Sequence, residues 1–423
     1  ANSYKRVERI VDTVKVSSHL TMLHQMWLSF LTCSFHILPT VSDISKCKYQ
    51  QSTYNCSGVG LQSIPDGKDL PPGLKILDLS NNNITRIPFL NFSESVSSSM
   101  IQMFLNHNQI NSIQNFSFSK LRNLEILDLS FNSLSGLDVN YAIFTNMSAL
   151  QALILDQNPL RIIRRITFTE LEIPALRLLS LAHCELIDLE NSAIGFNTLN
   201  VLRLSGNRLN FASIKDLPII VLEDFDTLDL SYNEIAELNN FNFPSVNGLR
   251  NLILDHNHIT HLSMIYVSFY QIQSISLRYN NVRTLDNTSL PWYLTTLRYI
   301  DFRENPIVCD CNMSWILEDP KLKTKTIRIL CDSPPVLNGK NLFDLKLSDL
   351  NCTDPHGNHN HHDDQSLIPI VTGIVLASGV LLVVAGVLTY MLLKRRQRGN
   401  STSPSTKSYG SLAINSSNYP SKS

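Results

Sequence analysis

The feature that most limits what this chain can fold into is one pattern spoken ten times between Leu74 and Asp310. Its plainest copy is Leu124-Glu-Ile-Leu-Asp-Leu-Ser-Phe-Asn132-Ser-Leu134, with leucine at places one, four and six, asparagine at nine and an apolar residue at eleven. Place nine holds Asn82, Asn108, Asn132, Asn158, Cys184, Asn207, Asn233, Asn257, Asn280 and Asn305. The steps between them are 26, 24, 26, 26, 23, 26, 24, 23 and 25 residues. A self-similar period in the twenties specifies a solenoid, in which each copy touches its neighbours and none buries a core alone.

Within a copy, Leu127-Asp128-Leu129 alternates with period two, so a short strand turns both leucines inward and Asp128 outward. Leu124, Leu134 and Leu137 wall the same core. The asparagine amide turns inward, where it satisfies backbone groups of the tight turn leaving the strand. Stacked copies pair strand to strand about 4.8 Å apart, which gives ten strands a parallel sheet roughly 45 Å long. Phenylalanine recurs about ten to twelve residues after the asparagine: Phe92, Phe118, Phe144, Phe168, Phe196, Phe243 and Phe269. These read as a buried aromatic spine on the outer side, whose bulk bends the stack.

Residues 74–310 therefore resemble the extracellular leucine-rich repeat family. The resemblance implies an α/β-type repeat, a horseshoe solenoid with a parallel sheet on its concave face and a disulfide cap at each end. Cys47-Lys-Tyr-Gln-Gln-Ser-Thr-Tyr-Asn-Cys56, followed by Leu61-Gln-Ser-Ile-Pro65, is similar to the family's amino-terminal cap, reduced to one bridge. Asn305-Pro-Ile-Val-Cys309-Asp-Cys311-Asn-Met-Ser-Trp315, with Cys331 and Cys352, resembles the carboxy-terminal cap. That likeness implies pairing of Cys309 with Cys331 and of Cys311 with Cys352. Cys-x-Cys is also a metal-ligating spacing, but four thiolates spread this widely in a secreted chain favour bridges, and no metal or cofactor is expected. Cys184 is left over, a buried thiol in an asparagine place, with an intermolecular or reactive role as the alternative.

The chain order is then a leader (1–42), amino-terminal cap (43–73), ten repeats (74–304), carboxy-terminal cap (305–352), stalk (353–366), membrane helix (367–393) and tail (394–423). Met26 to Leu38 is an apolar run followed by Pro39-Thr-Val-Ser42, small residues suited to signal peptidase, with translation expected from Met22 or Met26. The run is too short for an ordinary membrane helix. An uncleaved anchor or amphipathic segment is the alternative. Leu367 to Leu393 gives 27 residues without a charge, about 40 Å as a helix and enough for a roughly 30 Å hydrocarbon core. Lys394-Arg-Arg-Gln-Arg398 follows, which by the positive-inside rule puts the carboxy terminus in the cytoplasm and makes a type I, single-pass protein. Gly373 and Ala377 would allow close helix approach, hence a transmembrane co-receptor or a second copy as lateral partner. The stalk carries His356, His359, His361 and His362, read as a solvated linker in preference to a metal grip or acid sensor. The tail is rich in Ser, Asn and Thr, and is read as disordered. It holds Tyr409-Gly-Ser-Leu412, which resembles a tyrosine-based endocytic sorting signal.

The compartment is also marked by sequons at Asn55, Asn83, Asn91, Asn115, Asn146, Asn287, Asn312 and Asn351, each expected to be glycosylated if used. A net charge of -1 over 423 residues gives no electrostatic case for nucleic acid. Outside the repeat frame there is no Ser-His-Asp set, phosphate loop or paired carboxylate arrangement, so an enzyme is not expected.

The working surface should be the sheet. Its central outward places hold Asp78, Phe104, Asp128, Ile154, Ser180, Arg203, Asp229, Ile253, Ser276 and Asp301, the aspartates serving simply as outward strand positions. Flanking places in the last four copies add Tyr232, His256, Arg278, Tyr279, Tyr299, Arg303 and Glu304. Tyrosine and arginine bury area while keeping a directed polar end, so these residues, with Asp301, are the expected ligand face. The reading is a plasma-membrane receptor, co-receptor or adhesion protein that binds an extracellular protein or glycan. The alternative is an endosomal, lysosomal or structural membrane protein that organises partners laterally.

Overall fold

Each repeat spends three residues on a strand, and the strand is short because only places three to five alternate before the asparagine turn begins. The computed structural model describes residues 44–352, apart from 137–142, 165–167, 170–172, 191–193, 196–197, 215–223, 240–247, 264–270, 287–288 and 290–294. The expected leader, stalk, membrane helix and tail, with Tyr409 and Leu412, lie outside the described residues, as do Leu137, Asn287, Phe196, Phe243 and Phe269. No helix among the described residues is long and apolar enough to cross a membrane.

One 13-stranded sheet runs through the described residues. It opens with β1 (Lys48–Gln50) and β2 (Thr53–Asn55), an antiparallel hairpin, and β2 then pairs in parallel with the first repeat. The repeats contribute β3 (Ile76–Asp78), β4 (Gln102–Phe104), β5 (Ile126–Asp128), β6 (Ala152–Ile154) and β7 (Leu178–Ser180). They continue with β8 (Val201–Arg203), β9 (Thr227–Asp229), β10 (Asn251–Ile253), β11 (Ser274–Ser276) and β12 (Tyr299–Asp301). β13 (Thr326–Arg328) closes the sheet, parallel to β12.

The register is set by the place-four residue. Leu77, Met103, Leu127, Leu153 and Leu179 face one another in turn across successive strands, and all are fully buried. A slip of one residue would turn this whole row to solvent, so the pairing is strongly specified. Behind it Phe92, Phe118, Phe144 and Phe168 are buried, with Phe118 and Phe144 stacked at 6.4 Å and Phe144 and Phe168 at 6.1 Å between ring centroids.

The asparagines tie one repeat to the next. Asn132 Nδ2 donates to the Leu129 carbonyl of its own repeat at 2.9 Å and to the Leu105 carbonyl of the preceding one at 3.0 Å. Its Oδ1 accepts the Ile110 N–H, also from the preceding repeat, at 2.9 Å. Asn108, Asn158, Asn233, Asn257 and Asn280 repeat this arrangement. Each amide thus answers both the turn behind its own strand and the turn of its neighbour, which leaves few buried backbone groups unmet.

Cys184 shows what happens when one rung changes. Its thiol keeps the donor half, 3.2 Å from the Leu155 carbonyl, but offers no amide oxygen to the preceding turn. The N–H of Leu160, which would meet such an oxygen, turns back to the Asn158 carbonyl at 2.8 Å. The same local closure occurs at Ile307, whose N–H bonds Asn305 O at 2.8 Å where the ladder ends. Burial pushes the Cys184 thiol up to about 12, so it is a poor nucleophile. Cys184→Asn is expected to raise stability by about 1 kcal/mol by restoring the missing acceptor, read as a higher urea midpoint. An unchanged or lower midpoint would show that the thiol rung is already equivalent.

Both ends are stapled. A disulfide joins Cys47 to Cys56 across the ends of the β1–β2 hairpin. At the other end Cys309 is bonded to Cys331 and Cys311 to Cys352. Helix α1 (Ser314–Glu318) seats Ile316 in the core, and Trp315 Nε1 donates to the Leu285 carbonyl at 3.3 Å. The last repeat's apolar face is thereby covered.

Candidate recognition surface

Place eight, just before each asparagine, sits in the left-handed region: φ is 54° at Tyr232, 54° at His256 and 54° at Tyr279. Because every repeat carries the same backbone there, side chains at place eight leave the chain in parallel, one strand apart. Where three successive copies hold rings, the rings stack. Tyr232 and His256 lie 4.1 Å apart at 11°, and His256 and Tyr279 lie 4.1 Å apart at 12°. His107 and Phe131 form a similar pair nearer the amino-terminal end. Gly206 interrupts the row, since a Cβ at that place would run into the His183 ring. Stacked rings of this kind contribute about 0.5–1.5 kcal/mol per pair beyond the area they bury.

The three-ring ladder is open to solvent at its ends, with Tyr232 54% and Tyr279 42% exposed. Arg278 lies over Tyr279, 5.3 Å from its centroid. Tyr279 N–H donates to the Arg303 carbonyl, which places Arg278 and Arg303 on neighbouring strands at the same level. Tyr232, His256, Arg278, Tyr279, Tyr299, Arg303 and Glu304 therefore occupy the outward side and carboxy-terminal rim of the last four repeat strands.

Asp301 does not belong to the accessible part of that face. It is fully buried, because Arg303 grips it through Nε at 3.0 Å and through a terminal nitrogen at 2.7 Å, while the Tyr299 hydroxyl donates at 2.8 Å. Ile154 and Ser180 are corrected likewise: both are outward in register but buried. Ile126, Ala152, Ile154, Leu178 and Val201 pack as a second apolar cluster along this side of the sheet, with Phe104 against it. The aspartates are also more than outward positions. Asp78, Asp128 and Asp229 accept both the N–H and the hydroxyl of the serine two residues on. Asp156 and Asp255 instead cross to the next repeat, accepting Ala182 N–H at 2.8 Å and Arg278 N–H at 2.8 Å.

Burial raises the Asp301 carboxyl, yet the bonds from Arg303 and Tyr299 outweigh it and hold the group below the usual carboxylate range. A depressed folded-state value stabilises the fold above the unfolded carboxylate range, and the contribution is lost as pH falls through the folded-state value. Arg303→Ala is expected to cost about 2–4 kcal/mol at pH 7, because a buried carboxylate loses its counter-charge. The gap between variant and parent should narrow as pH falls below about 4. Urea melts across that range check it, and a pH-independent gap would contradict the pairing.

Sequence reading missed Arg328. It comes from the disulfide-bonded segment after the last repeat, enters the sheet opposite Asp301, and lies over the Tyr299 ring at 5.6 Å. The alternation Thr326-Ile-Arg-Ile329 was the available signal, with Ile327 and Ile329 buried and Arg328 exposed. The described sequon asparagines, Asn55, Asn83, Asn91, Asn115, Asn146, Asn312 and Asn351, are all exposed. Among the described residues no group of three or more His, Cys, Asp or Glu side chains is placed to hold a metal.

A model of the leucine rich repeat matches residues 72–134 and 102–160. A solved chain from the octameric complex of latrophilin 3, Unc5D and FLRT2 superposes with a TM-score of 0.58 at 19% identity, covering 74% of this chain and 100% of that one. The fold is a leucine-rich repeat solenoid. CD180 antigen of Mus musculus is 27% identical over 282 residues, 65% of this chain and 38% of the relative. The leucine-rich repeat transmembrane protein FLRT2 of Rattus norvegicus is 23% identical over 383 residues, 81% of this chain and 54% of the relative. The chain thus spans about half or less of the length of these leucine-rich repeat relatives.

Proposed function

We propose that this chain is an extracellular recognition protein, held at the plasma membrane as a type I single-pass protein, whose sheet face binds another protein. The observation that carries the reading is the exposed, pre-stacked Tyr232–His256–Tyr279 ladder on a rigid sheet. Ordered rings lose little conformational freedom on binding and bury large area, the properties of interface anchors. The complex of FLRT2 with latrophilin 3 and Unc5D supports the partner class by likeness of fold alone. The surface offers recognition without chemistry of its own, so it acts as a receptor, co-receptor or adhesion protein, and signals through a partner if it signals.

The test is capture by the whole protein, purified in nanodiscs and immobilised, from extracellular fluids and cell surfaces. Tyr232→Ala with Tyr279→Ala is expected to lower the affinity for a captured protein by at least about tenfold, since two central anchors are removed. Equal capture by parent and variant, with both folded, would rule out this face.

A further inference from the structure

Resting on the reading of this face as a binding surface, we infer that its last strands take an extended acidic segment of a partner protein. Carboxylates of that segment meet Arg278 and Arg328, and an apolar side chain lies along the Tyr232–His256–Tyr279 rings.

The two arginines are pre-positioned and unneutralised. Arg278 is stacked on Tyr279 and Arg328 on Tyr299, which holds each guanidinium plane in place. Among the described residues neither is paired with a carboxylate, whereas Arg161, Arg208, Arg250 and Arg303 are paired with Glu185, Glu234, Asp226 and Asp301. Arg278 Nε is buried without a hydrogen-bond partner among the described residues, so its donor capacity is not taken up by a carboxylate of the chain itself. A planar, fixed fork suits a carboxylate in two-point contact.

The dimensions suit a peptide. From β9, which leads to Tyr232, to β13, which holds Arg328, there are four strand steps, about 19 Å at 4.8 Å each. An extended segment of about six residues covers that span at about 3.3 Å per residue. The sequence has no sequon between Asn146 and Asn287, so the stretch from Tyr232 to Tyr279 carries no N-glycosylation signal, and the next one, Asn287, follows later in the Tyr279 repeat. A sulfated polysaccharide fits less well, because Asp301 neutralises Arg303 and the exposed Glu304 adds a negative charge beside it. A run of anions would meet that interruption. A segment that alternates carboxylates with apolar residues would not.

The experiment uses the whole protein in nanodiscs and a fluorescein-labelled dodecapeptide of alternating glutamate and leucine. Its comparators are the glutamine–leucine counterpart and heparin. The glutamate peptide should bind, weaken as salt rises from about 50 to 500 mM, and lose at least about tenfold in affinity when Arg278→Gln and Arg328→Gln are combined. Arg208→Ala, which breaks only a surface pair, should leave its affinity unchanged. Unfolding midpoints within about 2 °C of the parent would show that the double variant is folded. Equal binding of the glutamine peptide, unchanged affinity in the folded double variant, or heparin binding tighter than the glutamate peptide would each overturn the inference. If a protein captured by the parent is captured equally by the double arginine variant but lost by the tyrosine variant, the acidic-segment inference fails while the recognition reading stands.

Discussion

Asn158→Ala is expected to lower the stability of the repeat array by about 4 kcal/mol. Asn158 is 1% exposed and sits between the third and fourth repeats, where its amide nitrogen donates to the carbonyls of Leu129 at 3.0 Å and Leu155 at 2.8 Å. Its oxygen accepts the Leu134 N–H at 3.0 Å. Alanine would take its acceptor from the buried Leu134 N–H, at about 1–3 kcal/mol. It would also take one of two donors from each carbonyl, at about 0.5–1.5 kcal/mol each, since Leu129 O keeps Asn132 Nδ2 and Leu155 O keeps the Cys184 thiol. Water cannot easily replace them, because the surrounding side chains are leucines with no exposure. In a solenoid the stability is close to a sum of repeat terms and nearest-neighbour interface terms, so the damage should concentrate at one interface. Urea unfolding is then expected to shift to lower midpoint and to broaden, and the Leu134 amide should exchange with deuterium faster than amides several repeats away. A loss under about 1 kcal/mol, with Leu134 still protected, would mean that the asparagine ladder is decoration and that leucine packing alone joins the repeats. The Cys184 rung already indicates where a replacement does least harm. A thiol keeps one donor and the turn finds another acceptor, a rearrangement alanine permits only for the N–H.

Removing the Cys311–Cys352 bridge with Cys311→Ser and Cys352→Ser is the second large effect, also about 4 kcal/mol. The bridge closes a separation of 41 residues, for which the chain-entropy account gives about 4 kcal/mol. The consequence should reach the proposed binding face. Cys331 and Cys352 anchor the segment that contains β13, and β13 supplies Arg328 and covers the open edge of β12. Loosening the cap therefore predicts weaker protection of Ile327 and Ile329 amides and weaker peptide binding, together with a lower thermal midpoint. If the midpoint falls by several degrees while those amides stay protected, the bridge stabilises the fold by some route other than holding β13 in place.

Much of this fold is written locally. Places four and six are leucine, or a residue of similar size, in nearly every copy, and period-two alternation alone sends them to one side of a strand. The spacing of Asn82, Asn108, Asn132 and Asn158 fixes where each turn begins. Phe118, Phe144 and Phe168 were readable as core because they recur with the repeat, and the stack confirms why a ring suits that place.

The candidate face was legible only as a list of residue types. Tyr232, His256 and Tyr279 occupy one place in three successive copies, so their proximity follows from the period, but the stacking follows from a left-handed backbone that no single residue announces. Asp229 and Asp301 share a place and a local sequence direction, yet Asp229 stays partly exposed while Asp301 is buried. The difference is the residue two places on: serine at 231 is too short to cover a carboxylate, and arginine at 303 folds over it.

By itself the sequence determined the repeat, the strand direction, the inward rows and the places where turns and caps must lie, because each depends on spacing within about 25 residues. Only the tertiary structure decided which aspartates clamp their own turn and which cross to the next repeat, that Arg328 joins the sheet from the disulfide-bonded segment after the last repeat, and which aromatic rings lie face to face. Those outcomes depend on side-chain direction and on contacts between separate turns of the solenoid, where several partners lie within reach and packing selects among them.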